Sequence, residues 1–199
     1  MNVKRTLSTA CLILLGVTLS GCGIQALPKA QNNVDAALAE VTNQYKRRAD
    51  LVPNLVNTVK GFAKQEETVL TEVTNARARA TSITLDPKNM KAQDLENFQK
   101  AQGELGKSLG RLLVVAENYP QLKSDANFRD LQAQLEGTEN RITVARNRYI
   151  DSIKEFNNLV TVPPYSWTNS LFYHYEKKPQ FALEGAEATE AQKAPEVKF

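Results

Sequence analysis

Side chains able to do covalent or metal chemistry are scarce in this chain: two cysteines, Cys11 and Cys22, and one histidine, His174. A lone imidazole excludes a multi-histidine metal site within one chain. Leu171 also fills the glutamate position of the Glu-x-x-His pattern used by helical di-iron proteins. Neighbouring acids such as Glu66 and Glu67 diverge by about 100° on a helix and do not converge on one substrate. No Gly-x-Ser-x-Gly elbow, phosphate-binding glycine loop or dinucleotide fingerprint occurs. The residues therefore ask for no catalysis, no metal and no cofactor. His174 reads as a surface or packing histidine. What remains is the Cys22 thiol, a nucleophile whose setting points to modification of the chain itself.

That setting is Leu19-Ser20-Gly21-Cys22, preceded by Lys4 and Arg5 and by a mostly apolar run from Leu7 to Leu19. The run is shorter than the roughly 20 apolar residues that span a bilayer, and small Ser20 and Gly21 suit a peptidase cutting before Cys22. The pattern resembles a bacterial lipoprotein signal, in which the cysteine receives a diacylglycerol and its new amine is acylated, commonly with palmitate. Each buried methylene contributes about 0.8 kcal/mol, so two or three chains hold a protein at a membrane where one holds it only marginally. The alternatives are an uncleaved membrane anchor and a cysteine without lipid. Residues 1–21 are thus read as a signal peptide and residues 22–31 as anchor and linker.

Without Lys4 and Arg5 the chain carries one more basic than acidic side chain, against a net charge of +3 for all 199 residues. Balanced charge lacks the concentrated basic face that phosphate binding needs, so nucleic acid is not an expected partner. With Cys11 removed and Cys22 acylated, no disulfide is available and stability must come from packing.

Apolar residues recur at spacings of three and four in three long segments, which predicts an all-α fold. The first stripe runs Val34, Leu38, Val41, Tyr45, Ala49, Val52, Leu55, Val59, Phe62, Glu66, Val69, Val73, Ala76, Ala80, Ile83, and is broken only at Glu66. Its phase holds across Pro53, so the expectation is one long helix from about Asn32 to Ile83, kinked at Pro53, with a loop there as the alternative. After the turn residues Asp86-Pro87, a second stripe runs from Leu95 through Phe98, Gln102 and Leu105 to Tyr119, ending at Pro120. Ser124 is the expected cap of a third helix, from Phe128 to Val160, which Pro163-Pro164 ends. Short connections make sequential helices antiparallel. The predicted architecture is an elongated antiparallel bundle of three long helices plus a short aromatic C-terminal helix, covering residues 32–175. Tyr165 to Tyr175, with the only tryptophan, Trp167, is read as that closing helix, with a place at the membrane interface as the alternative. Residues 176–199 are rich in Glu, Lys, Ala and Pro and read as a mobile tail.

Charges beside the stripes form a second pattern. Arg48, Arg77, Glu117, Glu139 and Arg146 each stand one position from a stripe residue, where long side chains reach a neighbouring helix. They are candidate interhelical ion pairs, comparable to the flanking charges that set alignment in coiled coils. Gly103, Gly106 and Gly110 share one helix face, where close packing against another backbone would explain residues that each cost about 1 kcal/mol relative to alanine. Arg47, Asp50, Asn54 and Asn57 fall on the outward face of the first helix, and packing does not require their identity. Pro53 lacks the N–H that would bond the Ala49 carbonyl, leaving an acceptor beside them. Arg47, Asp50, Pro53, Asn54 and Asn57 are therefore a candidate protein-binding face.

The run Lys46-Arg47-Arg48-Ala49-Asp50-Leu51-Val52-Pro53-Asn54-Leu55-Val56, with Val59-Lys60-Gly61-Phe62-Ala63, resembles the signature of the LemA family. The likeness continues through Ala76-Arg77, Glu117-Asn118-Tyr119-Pro120-Gln121-Leu122-Lys123, Glu139-Asn140-Arg141-Ile142, Ala145-Arg146 and Tyr149. Gln65-Glu66 replaces the His-Glu of many relatives, and Ile150 a common asparagine, so roles resting on those residues do not carry over. The resemblance implies a membrane-associated helical bundle facing away from the cytoplasm, with no established enzymatic activity and with associations to envelope stress and membrane proteases. The expectation is a lipid-anchored, non-catalytic adaptor or stress-related accessory factor of the bacterial cell envelope. Its partners would be the membrane, through Cys22, and an unidentified envelope protein, with a membrane protease system among the candidates. Gly23 after Cys22 is compatible with the outer membrane of a two-membrane cell. A ligand-sensing bundle with a small-molecule pocket between helices is the alternative.

Overall fold

The computed structural model describes residues 25–87 and 89–181. Cys22, the signal segment and most of the expected tail lie outside them. The fold is all-α, with no strand among the described residues. Helix α1 spans Ala26–Phe62, α2 Glu67–Ser82, α3 Ala92–Ala116, α4 Pro120–Ser124, α5 Ala126–Thr161 and α6 Tyr165–Thr168, followed by one π-helical turn, Asn169–Tyr173. No helix among the described residues is long and apolar enough to cross a membrane.

The expected first helix is two helices. Pro53 sits inside α1, and the chain leaves the helix at residues 63–66 instead. Val34 through Val59 are buried in the expected phase, but Phe62 turns outward and Ala63 and Leu70 are buried in place of Phe62 and Val69. A one-residue slip of the apolar stripe is what a short break between helices produces. Glu66, the stripe's one polar member, stands at that break, immediately before α2. The start of α1 is also earlier than expected, because Leu27 and Ala30, assigned to a linker, are buried in its first turns.

Other ends follow local chemistry. The Asp94 carboxylate accepts the Lys91 N–H at 3.0 Å and closes the first turn of α3. Pro120 opens α4, where its missing N–H costs nothing. Asp125, not Ser124, caps α5: its Oδ1 accepts the Phe128 N–H at 2.9 Å.

The chain divides into two compact units. Among the described residues, unit 2 holds 45–87, 89–139 and 179–181, and its core is built by α1, α2, α3, α4 and α5 through Val52, Leu55, Val59, Val73, Leu105, Leu112, Leu122 and Phe128. Among the described residues, unit 1 holds 25–44 and 140–178. Val34, Leu38 and Val41 of α1 are buried there, as are Ile142, Tyr149, Ile153 and Phe156 of α5. Ile153 takes the inward place expected for Ser152. Order also runs past the expected start of the tail. Asn157 clamps the backbone of Lys178, accepting its N–H at 2.9 Å and donating to its carbonyl at 3.1 Å, and Phe181 is buried.

Only part of the aromatic segment packs against the helices as expected. Tyr175 meets Phe156 edge-on at 5.7 Å and stacks on Tyr173 at 5.5 Å, while Trp167, Leu171 and Phe172 stand exposed. His174 ends the π turn in the left-handed region, its N–H donating to the Asn169 carbonyl at 2.8 Å, and its side chain is exposed.

Candidate functional site

In unit 2, Arg48 is 4% exposed although it carries a permanent charge. Its position one step from Ala49 puts it at the edge of the apolar face of α1. A Cβ at Gly106 would come 3.7 Å from Arg48 Nη1. That is ordinary contact, and at Gly110 a Cβ would meet nothing within 4 Å, so the close backbone approach expected of the glycine stripe is not present at these two positions.

Three helices supply the partners. Arg48 Nη1 donates to Glu139 Oε1 of α5 at 2.9 Å; Nη2 donates to the Gln102 carbonyl of α3 at 2.9 Å and to its Oε1 at 2.7 Å. The guanidinium also lies 5.1 Å from the centre of the Tyr45 ring, a cation–π contact. Gln102 Nε2 donates onward to the Ala80 carbonyl in the last turn of α2, at 3.1 Å. One cation and one amide thus tie four helices in register. Desolvating such a charge costs several kcal/mol, which these bonds offset. Glu139 is half exposed, so water screens its share of the pair, while the bonds to Gln102 are buried. Gln102 was not among the expected pairing residues, although a polar side chain in the middle of an apolar stripe is the signal that marks it.

Arg77 makes no ion pair among the described residues. Its Nε donates to the Ala49 carbonyl at 2.8 Å, the acceptor that Pro53 leaves without a helical donor. The carbonyl expected to be open to a partner is therefore filled from within. Glu117 lies exposed at the end of α3 and forms no ion pair among the described residues. Arg146 is half-buried on α5 in unit 1. Cross-helix pairs without a stripe-based signal are Arg79–Glu104 at 3.1 Å, Arg111–Glu72 at 3.2 Å and Arg148–Glu40 at 2.7 Å. They are exposed and contribute at most about 1 kcal/mol each.

The outward residues of α1 behave differently. Arg47, Asp50, Asn54 and Asn57 are exposed, and Pro53 beside them is half-buried. None of those four side chains makes a hydrogen bond or ion pair among the described residues; the Asn54 backbone carbonyl, besides its helical bond, accepts the Thr58 hydroxyl at 2.9 Å.

Two further features complete the surface of unit 2. Tyr119, after α3, donates its phenol to Glu66 Oε1 at 2.8 Å and accepts from Gln65 Nε2 at 2.9 Å, fastening the α1–α2 break to the α3–α4 turn. The bond to Glu66 holds the phenol's pKa above its ordinary value. A groove of about 510 Å³ between α2 and α3 is lined by Glu72, Asn75, Arg79, Glu104, Lys107 and Arg111. Four of these already neutralise one another in the pairs above.

A family model described as the LemA family matches residues 37–199, which includes the Arg48 network and the polar face of α1. The chain belongs to the LemA family. That family is not a known enzyme family. Two magnetosome proteins of Paramagnetospirillum magneticum, MamQ 1 and MamQ 2, are each 31% identical to this LemA protein over 67 residues. The match covers 34% of this chain and 25% of each relative, so the chain spans about a quarter of the length of these curated relatives.

Proposed function

We propose that this LemA protein is a lipid-anchored, non-catalytic adaptor or stress-related accessory factor of the bacterial cell envelope. It faces away from the cytoplasm and presents the Arg47–Asn57 stripe of α1 to another envelope protein, with a membrane protease system among the candidate partners. The observation that carries this reading is a contrast between the outward face of α1 and the arginines packed around its inner face. Arg48 and Arg77 are consumed by internal bonds around Ala49 and Pro53, whereas Arg47, Asp50, Asn54 and Asn57 are exposed and bind nothing inside the fold. A polar stripe with no folding duty is available for recognition. The charges of the α2–α3 groove are largely mutually satisfied, which gives a small-molecule reading no comparable support.

The test is crosslinking in living cells followed by mass spectrometry, comparing wild type with the double variant Asp50→Lys, Asn54→Lys. Both positions are exposed, so the melting temperature should move by no more than about 2 °C. Crosslinked envelope partners should disappear. Partners that persist unchanged would put the interface elsewhere, and unfolding of the variant would give these residues a structural role.

A further inference from the structure

Seven large apolar side chains stand exposed among the described residues, and four of them, Val162, Trp167, Leu171 and Phe172, fall in one stretch of unit 1. Trp167 is 68% exposed, Leu171 69% and Phe172 59%. Trp167 and Leu171 are about one helical turn apart, and Phe172 is next to Leu171. The stretch is held firmly. The Asn169 side chain donates to the Tyr175 carbonyl and accepts the Tyr175 N–H, both at 2.9 Å, and Tyr173 and Tyr175 stack. Apolar rings are thus presented to the outside from a braced backbone.

Where the chain enters unit 1 indicates what covers them. Within unit 1, Glu40 of α1 meets Arg148 of α5, and the charge of Asp35, earlier on α1, acts on Tyr149, later on α5, so the two helices run antiparallel there. Ala26 stands 14 residues before Glu40, and Thr161 13 residues after Arg148. At about 1.5 Å per residue these distances match, placing the start of α1 level with the end of α5. The exposed stretch follows Thr161 directly, and Cys22 precedes Ala26 by four residues, at most about 14 Å of extended chain. A lipid on Cys22 therefore brings a bilayer to the end of unit 1 that carries Trp167, Leu171 and Phe172.

We propose that these three side chains enter the headgroup region of that bilayer and form a second membrane contact, which orients the protein at the surface; the proposal rests on the reading of Cys22 as a lipid anchor. Tryptophan and its apolar neighbours favour this zone, where an amphipathic ring meets both acyl chain and water. Two contacts restrict tilt where a single flexible tether does not.

Trp167 is the only tryptophan, so intrinsic fluorescence reports this one position. Full-length lipidated protein is reconstituted in vesicles of phosphatidylethanolamine and phosphatidylglycerol with acyl chains brominated near the headgroup. Emission should fall at least about twofold relative to unbrominated vesicles and shift to the blue, with little quenching by aqueous iodide. The double variant Leu171→Asp, Phe172→Asp should lose the bromine quenching at unchanged helical circular dichroism. Trp167 quenched by iodide and indifferent to bromine overturns the proposal. So does a Trp167 shielded from both, which indicates a protein surface over the patch. The mass of the Cys22 peptide reads the anchor separately. Acylated Cys22 with a water-exposed Trp167 overturns only the second contact, whereas unmodified Cys22 with bromine quenching preserves the membrane contact and removes the anchor.

Discussion

Tyr149 and Arg48 show how single residues set this protein's tolerances. Tyr149 is fully buried in unit 1, and burial, reinforced by the negative charge of Asp35, pushes its phenol's pKa well above the ordinary value near 10. The folded state thus favours the neutral phenol. Its contribution is complete below about pH 10 and is lost as pH rises further, because the unfolded chain ionises first. Stability measured by urea unfolding should fall by up to about 1.4 kcal/mol per pH unit above pH 10 on account of this group. Tyr149→Phe should flatten that part of the profile, and an unchanged alkaline slope in the variant would show that other groups carry it. Arg48 limits the fold in another way. Among the described residues its buried Nε has no hydrogen-bond partner. The Glu139 end is 50% exposed, which leaves the network one edge on water.

Helix α1 tolerates Pro53 because Arg77 replaces what the proline removes. Arg77→Met should cost about 1.5–3 kcal/mol, the range for a hydrogen bond to a charged donor. With Pro53→Ala the restored N–H can reach the Ala49 carbonyl, and the same Arg77 change should cost at least about 1 kcal/mol less. Urea unfolding of the four proteins of this cycle measures the coupling, and additive costs would mean that Arg77 does not substitute for the missing bond. Much of the element layout is legible in the sequence, since buried side chains from Val34 to Val59, Leu95 to Ala116 and Phe128 to Phe156 largely follow the apolar stripes. The break at residues 63–66 is harder to see. Phe62 and Val69 keep the helical spacing across it, and only Glu66 interrupts the stripe, so a slip of one residue is hidden by apolar neighbours on both sides. Of the site, Arg48 and Glu139 can be read from their places beside the stripes. The switch of Arg77 from ion pair to carbonyl donor depends on how α2 lies against α1, which no local spacing encodes.

At the scale of the whole molecule, α1 and α5 each contribute to both units, and residues 174–181 after the π turn are part of the described fold. Deleting residues 176–199 removes the Asn157 clamp on Lys178 and the buried Phe181 ring. These hydrogen bonds and this buried area together are worth about 3 kcal/mol. A thermal melt followed by circular dichroism should show a drop of roughly 6–12 °C for the truncated protein, and an unchanged midpoint would return the whole stretch to the status of a dispensable tail. The span between partners also differs along the chain. Helices α2 and α3 are joined by a short turn, and Arg79 meets Glu104 across only 25 residues, whereas Arg48 and Glu139 are 91 apart and Glu40 and Arg148 are 108 apart. Closing a long loop is entropically slow, but extending two helices that already meet is cheap. On sequence separation alone, the α2–α3 hairpin should close first, Arg48 and Glu139 should then seal unit 2, and the pairing of α1 with α5 in unit 1 should form last. Newly made protein would therefore finish folding at the end nearest its own N-terminus, after its C-terminal half has emerged.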